Sequence, residues 1–134
     1  MTDQARVDNE AVVRRIFAAF SRKEGLFALR GLFAPDAVWT VPGAGIMAGV
    51  YVGREAIFRF LARLPKETSG TYGSELVDVL VSDERAAALY RASGERHGRL
   101  LELDQVLLFR LRDGVVSEVL ALPSDPAAFE AFWA

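Results

Sequence analysis

Apolar and polar positions change rhythm about halfway along the chain. Before Pro65 the apolar residues mostly recur at helical spacing; from Tyr72 they alternate or run in blocks broken by polar turns. Val12, Val13, Ile16, Phe17 and Phe20 share one helical face, with Arg14, Arg15 and Arg22 on the other. Asp8 or Asn9 is placed to cap this first helix and Gly25 to end it. Leu26, Leu29, Leu32 and Phe33 predict a second, short helical stripe closed by Pro35. Residues 37–41 alternate as a short strand, and Val50, Tyr51 and Val52 suit another brief one. Gly53 opens a third helix, which buries Ile57, Phe58, Phe60, Leu61 and Leu64 and stops at Pro65.

Beyond Ser69 and Gly70 the pattern predicts four consecutive antiparallel strands, at about 72–81, 85–96, 99–112 and 115–122. Ser82-Asp83-Glu84, His97-Gly98 and Asp113-Gly114 supply the turns between them. Pro126 in a first-turn position starts a last helix, whose Phe129, Phe132 and Trp133 form an apolar face fit to close a cavity or meet a second copy. This order predicts an α+β fold: a curved antiparallel sheet wrapped around N-terminal helices, forming a cone with an internal pocket.

The 134 residues suit one domain spanning 1–134. With no cysteine, the chain can hold neither a disulfide nor a thiolate metal site, and a reducing cytoplasm is the compartment expected. Its 16 basic residues are scattered among 18 acidic ones for a net charge of -2, leaving no basic track for nucleic acid. The opening Met1-Thr2-Asp3-Gln4 is polar, unlike a signal peptide, and no apolar run is long enough to span a bilayer. The small, apolar residues 43–49 lack the lysine of a phosphate-binding loop. One histidine and no tight carboxylate cluster argue against a metal site, and His97 falls at a turn, where solvent exposure is expected.

Several stretches, in this order, resemble the nuclear-transport-factor-2-like superfamily and its SnoaL-like and ketosteroid-isomerase-like branch. They are Leu32-Phe33-Ala34-Pro35-Asp36-Ala37-Val38-Trp39, Val41-Pro42-Gly43, residues 49–57 and residues 109–118. The resemblance covers the chain from about residue 8 onward and implies the cone, an apolar pocket and a homodimer; association through the sheet's outer face is the expectation here. The superfamily hosts isomerases, aldol cyclases, dehydratases and epoxide hydrolases, so the pocket residues must decide the function. Alignment to the steroid isomerases puts their catalytic Tyr at Ile16, their base at Val41 and their protonated Asp at Leu107. All three are aliphatic, which excludes that chemistry. Thr40 and Leu122 stand where close relatives often carry His.

Strand alternation predicts which residues face the pocket. Leu103, Gln105, Leu107 and Phe109 share one side of their strand; Tyr90, Ala92 and Gly94 join them across the hairpin, with Trp39 and Val41 on the first strand. Met47, Tyr51, Phe58, Leu61, Tyr72 and Val119 are expected to complete the lining. Tyr90 and Gln105 are the polar candidates, a phenol able to donate to a developing oxyanion and an amide able to position a carbonyl. Their plainer role is a buried hydroxyl and amide satisfied within the core. Glu102, Asp104 and Arg91 have the opposite parity, and Asp104–Arg91 suits a cross-strand ion pair. A one-residue bulge would turn Asp104 inward as a candidate base. Three readings follow: a cofactor-independent enzyme acting on a small apolar molecule, a binder of such a molecule, and an interaction or dimerisation module whose cavity is incidental.

Overall fold

The computed structural model describes residues 2–22 and 25–134, with Thr2 described by its backbone alone; Met1, first of the polar leading residues, lies outside them. Helix α1 (Thr2–Arg22) starts well before the expected caps at Asp8 and Asn9. Asn9 is instead 2% exposed, and its amide donates to the carbonyls of Ser82 and Asp83, both at 3.0 Å. A residue that reads locally as a cap therefore ties the helix to a distant turn. A 3₁₀ turn (Leu26–Leu32) follows. Strand β1 (Phe33–Val41) then runs through Pro35 rather than starting after it. Pro35 falls where the pairing of this strand is interrupted, between Phe33 and Val38, so its missing N–H leaves no ladder bond unmade.

Strand β2 (Gly49–Val52) and helix α2 (Arg54–Glu67) come next, then β3 (Gly73–Val81), β4 (Arg85–Arg96), β5 (Arg99–Arg112), β6 (Val115–Pro123) and helix α3 (Pro126–Trp133). Helix α2 continues through Pro65 instead of stopping there, because the proline sits in the last turn, and the N–H groups of Thr68 and Gly70 donate to its carbonyl. The six strands form one curved, unclosed sheet in the order β2-β1-β6-β5-β4-β3. Every neighbouring pair is antiparallel except β1 and β6, which run parallel. Both predicted two-residue turns place consecutive residues at positive φ: His97 at 52° with Gly98 at 76°, and Asp113 at 52° with Gly114 at 73°. That geometry matches the right-handed twist of the strands it joins.

Helix α1 lies across β3 and β4, α2 across β1 and β2, and α3 against β5. Their apolar faces meet the inner face of the sheet, where Ile16, Phe17, Leu29, Phe33, Ile57 and Phe109 are almost completely buried. Among the described residues, no helix is long and apolar enough to cross a membrane.

Residues 42–48 are fastened to α3. The Ile46 N–H donates to the Trp133 carbonyl at 2.8 Å, and the Ala44 N–H donates to the Glu130 carboxylate. Arg96 and Arg99 donate to the Ala134 and Ala131 carbonyls at 2.7 and 2.6 Å, placing two cations at the negative end of the helix. Gly45 lies so close to α3 that a Cβ there would come within 2.8 Å of the Trp133 carbonyl oxygen. Gly45→Ala is accordingly expected to cost about 1–3 kcal/mol in urea unfolding, as overpacking against backbone does. Gly31→Ala, where a Cβ meets nothing within 4 Å, serves as the control and stays within about 0.5 kcal/mol.

Candidate functional site

The helices do not fill the concave side of the sheet. Between them lies a cavity of about 460 Å³, within the range of roughly 300–1,000 Å³ that accommodates small molecules. Phe17, Ala19 and Phe20 of α1 and Phe60, Leu61 and Leu64 of α2 form one side. Trp39, Val41, Leu107 and Ala121 of the sheet form the other, with Met47, Phe129 and Trp133 at the latched end. Among the described residues that line it, none carries a charge.

Polar groups gather in one corner. Tyr90 and Gln105 are direct cross-strand partners, and the Tyr90 hydroxyl donates to the Gln105 Oε1 at 3.3 Å. Tyr90 is 6% and Gln105 4% exposed. The Tyr90 ring packs on Phe17 at 5.2 Å, which holds its hydroxyl in place. Tyr72 and Ser74 add two further hydroxyls to the same wall. Burial pushes the Tyr90 phenol well up from its ordinary value, and the charge that Tyr72 would carry, together with their hydroxyl interaction, pushes it further. Burial also raises Tyr72, while the Ser74 and Tyr90 hydroxyls offset part of that by stabilising its phenolate. Near neutral pH both phenols are therefore protonated hydrogen-bond donors. They can polarise a carbonyl or hold a hydroxyl but cannot abstract a proton.

Eight of the predicted residues meet at this cavity: Trp39, Val41, Met47, Leu61, Tyr72, Tyr90, Gln105 and Leu107. Ala92, Leu103, Phe109 and Val119 face inward as alternation requires, yet lie buried in the core away from the void. Phe58 packs edge-on against Phe33 at 5.6 Å, behind the lining. Tyr51 stacks on Phe60 at 4.4 Å, and its hydroxyl donates to the Met47 carbonyl at 2.7 Å, so it supports the wall from outside. Asp104 stays on the outer face. Pairing between β4 and β5 runs unbroken from Arg85↔Arg110 to Arg96↔Arg99, so the bulge that would have turned it inward does not occur. It meets Arg91 at 3.0 Å, the cross-strand pair its parity implied.

Sequence pattern missed Ser74 and assigned several lining residues to a filled core. A bulge explains the first. Strand β3 pairs Leu76 with Tyr90 and Asp78 with Leu89, leaving Val77 unmatched, so parity counted back from Val79 puts Ser74 on the wrong face. Phe17, Phe20 and Phe60 read as helical core stripes, and nothing in their spacing tells a packed ring from one that borders a void. Among the described residues, no group of three or more His, Asp or Glu side chains converges to hold a metal ion.

A curved sheet closed by helices around an uncharged pocket defines a class of small α+β cone proteins. This chain belongs to the SnoaL-like domain family, which matches residues 13–119. It is 37% identical to an uncharacterized protein of Mycobacterium tuberculosis (strain H37Rv) over the full length of both chains. Bal32a, from a soil-derived mobile gene cassette, has the same fold with a TM-score of 0.92 and 34% identity, covering 97% of this chain and 99% of its own. A Xanthomonas campestris protein of cystatin-like fold superposes with a TM-score of 0.85 at 25% identity, over 94% of this chain and 98% of its own.

The buried phenols leave a mark on alkaline stability. Above about pH 10 an unfolded tyrosine releases its proton while Tyr72 and Tyr90 retain theirs, so the folded chain binds more protons and unfolding becomes easier as pH rises. Urea unfolding between pH 9 and 11 is expected to show this decline, and Tyr90→Phe to make it shallower. A slope unchanged by the substitution would mean that Tyr90 titrates normally.

Proposed function

We propose that the protein binds an uncharged, largely apolar small molecule in the cavity, with one oxygen of the ligand held by the corner of Tyr72, Tyr90 and Gln105. The observation that carries this reading is an apolar void of about 460 Å³ whose polar groups are neutral and clustered. Apolar walls favour a hydrophobic body, at roughly 25 cal/mol per Å² removed from water. A charged ligand would lose its hydration without gaining a counter-charge among the described lining residues. The phenols can also polarise a carbonyl, which leaves room for an isomerase, cyclase, lyase or hydrolase. Binding is the better-supported reading, since the described lining offers no carboxylate or imidazole to move a proton.

N-phenyl-1-naphthylamine is expected to bind with one-to-one stoichiometry, at least about tenfold more tightly than the anionic 8-anilino-1-naphthalenesulfonate, a difference of about 1.4 kcal/mol. Ala121→Phe, which puts a ring into the cavity, is expected to weaken the neutral probe about tenfold or more. Fluorescence titration showing equal affinity for the two probes, or no effect of Ala121→Phe, would place binding elsewhere.

A second observation concerns the outer face of the sheet and supports a homodimer. Cross-strand pairing assembles two apolar rows there: Leu80, Ala87, Leu108 and Leu120 in one, Leu89, Val106 and Leu122 in the other. Leu80 is 58%, Leu120 36% and Leu122 42% exposed. The rows are flanked by the Arg91–Asp104 pair on one side and by Arg110–Glu118, at 2.8 Å, on the other. An apolar centre rimmed by both signs of charge is self-complementary, as a two-fold interface requires. Light scattering at micromolar concentration is expected to give twice the chain mass, and Leu120→Glu with Leu122→Glu to halve it. A wild-type monomer would count against the dimer.

A further inference from the structure

Strand β5 turns every second residue inward: Leu101, Leu103, Gln105, Leu107, Phe109 and Leu111 are all buried. Gln105 is the one polar side chain in that row. Its Oε1 accepts the Tyr90 hydroxyl at 3.3 Å, and no described residue accepts from its Nε2. A carboxamide half-used among apolar neighbours is costly, and leucine would fill much of the same space without that penalty. The amide nitrogen is not sealed in, however. Among the described side-chain atoms that lack both a partner and accessible surface, the Trp39 indole nitrogen is one and Gln105 Nε2 is not. Gln105 shares the inner face with Tyr90, while Asp104 and Val106 hold the outer one. The accessible surface of Nε2 therefore opens on the cavity that Gln105 lines.

We infer that Gln105 is the specificity-determining residue of the corner, its Nε2 donating to a carbonyl oxygen of the ligand, and that Tyr90 is a positioning residue that fixes which end of the amide meets the void. This rests on the reading of the cavity as a binding site. An amide has an acceptor end and a donor end, and what it offers a ligand depends on which end is already engaged. The Tyr90 phenol stays protonated near neutral pH and packs on Phe17, so it keeps donating from one place. Turning the amide over would set its N–H groups against that hydroxyl and give up the bond to Oε1. The donor end is thus left for the ligand. The ligand class is an apolar carbonyl compound, such as a ketone or an ester. A ligand that brings only an N–H donor would bury it facing other donors.

Fluorene, 9-fluorenone and carbazole test this, because they share one rigid tricyclic frame bridged by a methylene, a carbonyl or an N–H. Equilibrium dialysis of the wild type is expected to show 9-fluorenone bound about tenfold more tightly than carbazole, since one meets a donor and the other meets none of its needs. Gln105→Leu is expected to lower the affinity for 9-fluorenone relative to fluorene about tenfold. Tyr90→Phe frees the amide to turn, so the preference for 9-fluorenone over carbazole is expected to shrink to about twofold, with carbazole gaining. Loss of packing alone would weaken both ligands and keep the preference. A wild type without the preference, or either variant leaving its ratio unchanged, overturns the inference. A nitrogen–proton NMR spectrum gives an answer that needs no variant, since Gln4, Asn9 and Gln105 are the chain's only side-chain carboxamides. One Gln105 amide proton is expected to move downfield with 9-fluorenone and not with fluorene; an unmoved signal at saturation overturns the inference. Saturable binding of fluorene and 9-fluorenone without that shift defeats the Gln105 role alone. If none of the three ligands saturates, the binding reading fails and the inference falls with it.

Discussion

The long antiparallel pairing of β4 with β5 is the constraint on which the rest of the structure depends. From Arg85↔Arg110 to Arg96↔Arg99 no residue is skipped, so one parity governs both strands along their shared length. That parity puts Tyr90, Gln105 and Leu107 inside and Arg91, Asp104 and Val106 outside. A slip of one residue would exchange the faces, burying the Arg91–Asp104 pair and putting the Tyr90 and Gln105 corner into water. Regular pairing here is what keeps carboxylates out of the cavity.

Irregularity is equally important where it occurs. The extra residue at Val77 turns β3 so that its start, with Ser74 just beyond Tyr72, faces the cavity while Val79 packs farther along. Beside β6, the interruption in β1 lets the chain pass through Pro35 and still bring Trp39 opposite Val119. The first of these departures brings Ser74 to the corner where the regular pairing of β4 with β5 places Tyr90 and Gln105. The fastening of residues 42–48 to α3 then closes the end of the cavity bounded by Met47 and Trp133.

The two faces of the sheet show how one alternating pattern builds two different surfaces. Inside, aromatic rings surround a void and the polar groups are neutral hydroxyls and an amide. Outside, rows of leucine, alanine and valine, exposed at Leu80, Leu120 and Leu122 and half-buried at Leu89, Val106 and Leu108, run between ion pairs. The inner face encloses a void, and the outer face is open.

Local pattern determined much of this protein. The bounds of β4 and β5, the two hairpin turns, the inward set Trp39, Tyr90, Gln105 and Leu107, and the outward Asp104 all follow from alternation and turn chemistry, which depend on neighbours in the chain. The α+β order of elements was legible for the same reason, and the SnoaL-like resemblance from matching stretches such as residues 49–57 and 109–118. Tertiary structure alone decided the parallel pairing of β1 with β6, the burial of Asn9 against the turn at Ser82 and Asp83, and the bulge that brings Ser74 inside. It also separated Phe17 and Phe60, which border the void, from Phe109 and Val119, which pack solidly behind it. Periodicity states that a side chain points inward, but how much space remains there depends on the volumes of residues far apart in sequence, and only folding brings those together.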